Sequence, residues 1–205
     1  MGRSKTVSDI ALLDLLLPVL RDAGPAALSF SKASGAAGLS PAGLVQRFGT
    51  RDAMITAILS HAWDRLTATT MALDAKMPPT PRGAIELLVR LIPGDEADYA
   101  VGDGLLLLRE DVRNPVLRER GAGWGALLAT ALGRRLVDAP EEAQRLGWQM
   151  ASVWQGTLIW WAFTRDVGAG DAVERSLEDW CQRVGVTDIA RIGCPQDLPS
   201  GVSSP

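Results

Sequence analysis

The chain has 205 residues, 47% of them hydrophobic, and a formal net charge of −3. That length suits one large domain or two small ones, and that apolar content excludes disorder over most of the chain. The charge is uneven, so the acidic total does not exclude a nucleic-acid partner: residues 1–65 carry seven Lys/Arg against five Asp, a net of +2, and the remainder nets −5.

Apolar residues recur at three- and four-residue steps almost throughout and β-branched alternation is absent, so the expected class is all-α. Thr6 or Ser8 can cap a first helix, with Ile10, Leu13, Leu16, Leu17 and Leu20 on one side and a stop at Gly24-Pro25. Pro18 within it should kink the helix or displace one hydrogen bond. A short second helix runs from its cap Ser29 to Ala37, and Gly38 follows where positive φ costs little only for glycine. Ser40 caps a third helix with Pro41 in its first turn; "PAGLVQRF" then ends at Gly49. Thr50 caps a fourth that lasts until Met77-Pro78-Pro79, and "MPPTPRG" reads as a boundary. Further helices are expected near residues 82–92, 96–113, 115–136, 141–166 and 170–184, with a loose tail over 186–205.

Several chemistries find no support. His61 is the only histidine, which speaks against a histidine-based metal site, and it reads as an interdomain contact. Cys181 and Cys194 lack metal spacing and read as free thiols of a reducing cytosol. Ser29-Phe30-Ser31-Lys32 spells an acyl-transfer motif but has no partner motif, and Gly121 to Gly125 is glycine-rich without a preceding strand. No catalytic group, metal or cofactor is therefore expected. "IALLDLLLPVL" is broken by Asp14 and Pro18, so it is not a signal peptide. Leu146 to Phe163 contains Gln149, Ser152, Gln155 and Thr157, so it reads as a buried helix rather than a membrane span.

The stretch from Ser29 to Met54 carries more. A helix that enters the major groove end-on cannot be walled off by bulk, and the helix before it must cross it closely through a tight turn. Ala33, Ala36 and Ala37 supply small side chains at the crossing, Gly38 the turn, and Leu39, Leu44 and Phe48 the anchors. Ser40, Pro41, Ala42, Gly43, Val45, Gln46 and Arg47 are left as groove-side positions. Gln46 and Arg47 are long enough for base edges, Gln toward adenine and Arg toward guanine or phosphate. Arg51 lies in the first turn of the fourth helix, where a cation is electrostatically awkward unless a phosphate bridges it to the helix amides. Ser29, Ser31, Lys32 and Ser40 are candidate phosphate contacts, and Arg3 and Lys5 a short basic arm.

Ala37-Gly38-Leu39-Ser40 and Phe48-Gly49-Thr50-Arg51-Asp52-Ala53-Met54, in this order and spacing, resemble the N-terminal domain of the TetR family of bacterial repressors. The match covers about residues 10–60. Departures are Val45 in place of the usual phosphate-gripping aromatic, Ala33-Ser34 for Ile-Ala, Pro41-Ala42 for Lys-Gly, and Pro18. The resemblance implies a helix-turn-helix domain over 1–52, an effector-binding and dimerisation domain over 53–185, and a homodimer on a palindromic double-stranded operator. A small molecule would release it.

The resemblance further implies a pocket in the body and a dimer seam made by the last two helices. For the pocket, the candidates are Leu106, Arg109, Trp124, Leu128, Gln149, Met150, Val153, Trp154 and Thr157; for the seam, Leu158, Trp161, Leu177 and Trp180. Gly147 and Gly156 allow close helix approach. Seven Trp against one Tyr and three Phe allow an apolar or aromatic effector, since indoles stack on flat ligands, although plain core packing is the better reading of each single Trp. The competing readings are an all-helical enzyme or ligand carrier and a dimerising scaffold without DNA.

Overall fold

The computed structural model describes residues 7–92 and 107–186. The expected arm at Arg3 and Lys5, together with Leu106, Cys194 and all of the tail after Val186, lies outside the described residues. Helix α1 spans Asp9–Ala27; Ser8 caps it by accepting from the Ala11 amide at 3.2 Å. Leu12, Leu16, Leu17 and Leu20 form its buried stripe, whereas Ile10, expected there, is 67% exposed. The helix continues through Pro18 and breaks at Gly24, whose φ of 72° and ψ of 158° detach the final turn.

Helices α2 (Phe30–Ala37) and α3 (Pro41–Phe48) follow, joined through Gly38 at φ 63° and ψ 21°. Ser29, Ser40 and Thr50 each accept a hydrogen bond from the amide three residues on, so all three expected caps form. Helix α4 (Arg51–Lys76) has 26 residues, a rod of roughly 39 Å. The body adds α5 (Pro81–Arg90), α6 (residues 107–113), α7 (Pro115–Gly133), α8 (Pro140–Thr164) and α9 (Ala169–Arg183). Helix α7 stops three residues short of expectation because the chain tightens there: the Leu136 amide bonds to the Gly133 carbonyl at 2.9 Å. Among the described residues there is no strand, and no helix is long and apolar enough to cross a membrane.

Two cores form. Leu12, Leu16, Leu20, Ala33, Ala37, Leu44, Met54 and Ile58 close the head, and Leu117 of α7 enters it. Leu88, Leu128, Leu132, Leu146, Met150, Val173 and Leu177 close the body. Each fully buried Leu contributes about 1.5–3 kcal/mol. The N-terminal half of α4 belongs to the head, so the expected division at residue 52 falls inside a single helix.

Glycine sets how closely α7 and α8 approach. A Cβ on Gly147 would lie 1.9 Å from the Ala129 carbonyl oxygen, and one on Gly133 2.0 Å from that of Ala143. Gly156, by contrast, has nothing within 4 Å of its would-be Cβ, so it plays no part in this contact. In the glycine-rich run of α7, Gly121 lies against Trp63 and Gly125 against Trp148, whereas Gly123 is open. Arg135, 4% exposed, closes the other end of α4. It donates to the Asp74 carboxylate at 2.5 Å and to the carbonyls of Asp74, Met77 and Pro78 at 2.7, 3.1 and 3.0 Å. A buried cation is tolerable only with such partners, and here it satisfies the carbonyls left open at a helix C-terminus.

Candidate nucleic-acid interface and ligand site

Ser31 and Lys32 on α2 and Ser40, Pro41, Ala42, Val45 and Gln46 on α3 are all exposed. Ala33 and Ala37 pack inward as expected, whereas Ala36 faces out. The surface is shallow: from Pro41 to Gln46 only Val45 and Gln46 extend far from the α3 backbone, and Ser40 and Ser29 hold the two helix N-termini by their caps. Gln46 is the long polar side chain of α3 that is exposed.

The two arginines have other tasks. Arg47 turns back to the start of α1, where Nε donates to Asp9 at 2.6 Å and Nη2 to the Val7 carbonyl at 2.9 Å. In this arrangement it braces α3 against α1 rather than pointing along the groove face. Arg51 reaches across to the end of α1. Its Nε donates to the Leu28 carbonyl at 2.6 Å, Nη2 to the Pro25 carbonyl, and Nη1 to Asp52 at 3.3 Å. The electrostatic difficulty of a cation at the α4 N-terminus is thus met inside the protein: the guanidinium answers the carbonyls exposed where α1 breaks at Gly24. No phosphate is needed to account for it.

The apolar joint between α1 and α4 has a polar edge. His61 and Arg65 both reach Asp14 Oδ1, at 2.8 and 2.9 Å. The hydrogen bond from His61, with Arg65 beside it, holds the Asp14 carboxyl below its ordinary value. Where head meets body there is also a cleft of about 380 Å³, bounded by Pro25, Arg51, Ile55, Thr56, Arg113 and Asn114. Asn114 caps α7 through Val116 and donates to Thr56 at 2.8 Å, which ties the two helices together.

In the body, the expected pocket residues separate. Leu128 and Met150 are buried core, with Trp124, Val153 and Trp154 packed against them. Arg109 and Gln149 are exposed, and the Thr157 hydroxyl donates to the Val153 carbonyl of its own helix at 2.8 Å. Sequence reasoning missed Trp63 and Asp111. Trp63 stands 5.7 Å from Trp124, which stands 6.4 Å from Trp154 (ring centres, tilted by 50° and 54°), so three helices contribute to one indole wall. Trp63 donates to Asp111 Oδ1 and Trp124 to Thr70 Oγ1, both at 3.0 Å. The Trp154 Nε1 is shut away from solvent and has no acceptor among the described residues.

The expected seam also divides. Trp161 is 6% exposed and donates to the Val167 carbonyl at 2.8 Å, and Leu177 is fully buried. Both are core of one chain, so neither is free to meet a second copy. Leu158 and Trp180 are half-buried against the body core. The most exposed large apolar groups on α8 are Trp160 and Phe163, 71% and 75% exposed and 6.0 Å apart; Trp148 is 45% exposed. Gly156 is open on the same helix.

No protein-family model matches the chain, and no curated protein matches it either. Solved structures do resemble it. A transcriptional regulator from Rhodococcus sp. Rha1 superposes with a TM-score of 0.71 at 18% identity, over 86% of this chain and 95% of that one. A TetR transcriptional regulator from Legionella pneumophila gives 0.63 at 16% identity, over 88% and 99%. A Rhodococcus sp. protein assigned to the TetR-family regulators gives 0.62 at 19%, over 84% and 95%. The likeness is one of overall fold, and the chain has the fold of the TetR-family transcriptional regulators.

Proposed function

We propose that the chain is a homodimeric transcriptional regulator that binds a palindromic double-stranded operator and is released from it by a small molecule held in the body. The observation that carries this reading is the exposed, shallow face of α2 and α3, presented by a left-handed turn at Gly38 and backed by a closed head core. Ser31, Lys32 and Ser40 contact phosphate, Gln46 reads a base edge, and Arg47 and Arg51 hold the reading helices in place. Two copies meet through the outer faces of α8 and α9, where burying Trp160 and Phe163 removes the most exposed apolar groups of those helices from water.

Helix α4 couples the two functions. Its first half is head core, its last turn is gripped by Arg135, and Trp63 lies between them in the indole wall. An effector that favours one setting of α4 over another changes the spacing of the two heads, and its differential affinity for the two states is the energy available for release. Selection of bound duplexes from a random pool tests the reading. A palindrome is the expected product, and Gln46→Ala should relax preference at one symmetric position at a cost of about 1–3 kcal/mol. Failure to enrich any sequence at low salt would overturn it.

A further inference from the structure

The exposed face of α3 carries no charge. Leu44 is the buried anchor of the helix. At about 100° per residue, Ala42 and Gln46 lie roughly 160° from it, and Val45 stands beside Ala42 and one turn after Pro41. All four are exposed, Val45 at 44%. Arg47 is the one charged residue of α3, and its guanidinium is committed to Asp9 at 2.6 Å and to the Val7 carbonyl at 2.9 Å. The outward surface is therefore an apolar strip of Pro41, Ala42 and Val45 with a single amide next to it. Helix faces turned to water are ordinarily polar or charged. Valine is a mediocre helix former and gains nothing from water, and the head core closes without Val45. Its place on this face calls for another account.

The edges of the base pairs supply one. In the major groove guanine is matched by a forked cation at N7 and O6, adenine by a side-chain amide at N6 and N7, and thymine by an apolar group on its C5-methyl. The face of α3 offers the second and third of these and lacks the first. We propose that Val45 is a specificity-determining residue, packed on the C5-methyl of a thymine, so that α3 reads A·T pairs and no guanine. This rests on the operator reading above and deepens it by naming the bases. Discrimination works in both directions. Thymine adds a buried methyl group, whereas cytosine in its place would press an amino group against the valine and leave that donor without an acceptor. Asp9 belongs to the same device, because by holding Arg47 it keeps the reading face free of a guanine-seeking cation.

The test alters the DNA, so it does not depend on a variant that folds. In the duplex recovered by selection, each symmetric pair of thymines is replaced in turn by deoxyuridine, which pairs identically and lacks only the methyl group. Fluorescence anisotropy with the full-length protein at fixed salt should find one pair at which affinity falls by about fourfold per half-site, or about sixteenfold for both, the worth of one buried methyl group each. Val45→Ala should bind the thymine duplex about as weakly as the wild type binds the deoxyuridine one, and most of its sensitivity to the exchange should be gone. Its melting temperature should not fall, since alanine is the better helix former. Replacing the guanines by 7-deazaguanine, which removes the N7 acceptor, should change affinity by less than about twofold. Indifference at every thymine, a loss that Val45→Ala leaves undiminished, or a larger loss with 7-deazaguanine would overturn the proposal. A selected palindrome with any of these results removes this inference alone. Failure to enrich any duplex removes the operator reading and this inference with it.

Discussion

Arg51 offers the sharpest separation between what its position suggests and what its contacts do. If the guanidinium serves as a clamp on the end of α1, Arg51→Ala removes its bonds to the Leu28 and Pro25 carbonyls. A hydrogen bond from a charged donor contributes about 1.5–3 kcal/mol net, but this side chain is 38% exposed, so water can re-solvate both carbonyls once it is gone. A combined loss of about 2 kcal/mol follows, or roughly 4–8 °C in melting temperature for a chain of this size. Arg51→Lys, with one ammonium in place of a fork, should lose about half of that. Calorimetry reads this directly. The second assay is the salt dependence of binding to a fixed duplex, where each lost phosphate contact reduces the slope of log affinity against log salt by about 0.9. A clamp leaves that slope unchanged. An unaltered melting temperature with a slope reduced by about 0.9 per subunit would refute the clamp and restore a phosphate role.

Three other expectations can be checked on the same material. Gly147→Ala forces a methyl into the Ala129 carbonyl and should cost about 1–3 kcal/mol, whereas Gly123→Ala, in open space on α7, should gain up to about 1 kcal/mol from helix propensity; chemical denaturation giving the same sign for both would contradict the packing argument. The Cys181 thiol is buried and pushed up to about 11, so in a Cys194→Ser background a disulfide reagent at neutral pH should react only at the rate of unfolding, and prompt reaction would disprove its burial. Asp14 is depressed below 3.8, so its contribution is fully present above that pH and disappears as pH falls through the lower folded value; melts of Asp14→Asn should converge with the wild type in acid, and a gap that widens there would reverse the sign.

The helices and their caps were readable because they are local. Ser29, Ser40 and Thr50 each act on an amide three residues away, and Gly38 adopts the φ that its place in the turn demands. The arginines were not readable in this way. Arg47 finds Asp9 across 38 residues and Arg51 finds Pro25 across 26, partners that exist only once α3 and α4 pack against α1. Trp161 and Leu177, two of the four seam candidates, lie in the core for a geometric reason. Trp160 and Trp161 are adjacent, yet about 100° of helix rotation separates a buried residue from an exposed one. Periodicity identifies an apolar helix without telling which of two apolar stripes serves its own chain. Trp63 and Asp111 escaped notice because their significance lies in a juxtaposition of α4, α6, α7 and α8 that no single segment displays.

The sharing of α4 between the two cores has a practical corollary for anyone who would exchange parts of this protein. A transplant cut at residue 52 would strand Met54, Ile55, Ile58 and Leu59 on the donor's other half and leave Leu117 without its seat. A chimera that keeps its shape must cross over beyond Leu59 and carry a matching partner for Leu117, so the smallest transferable unit of recognition is larger than the surface that would touch DNA.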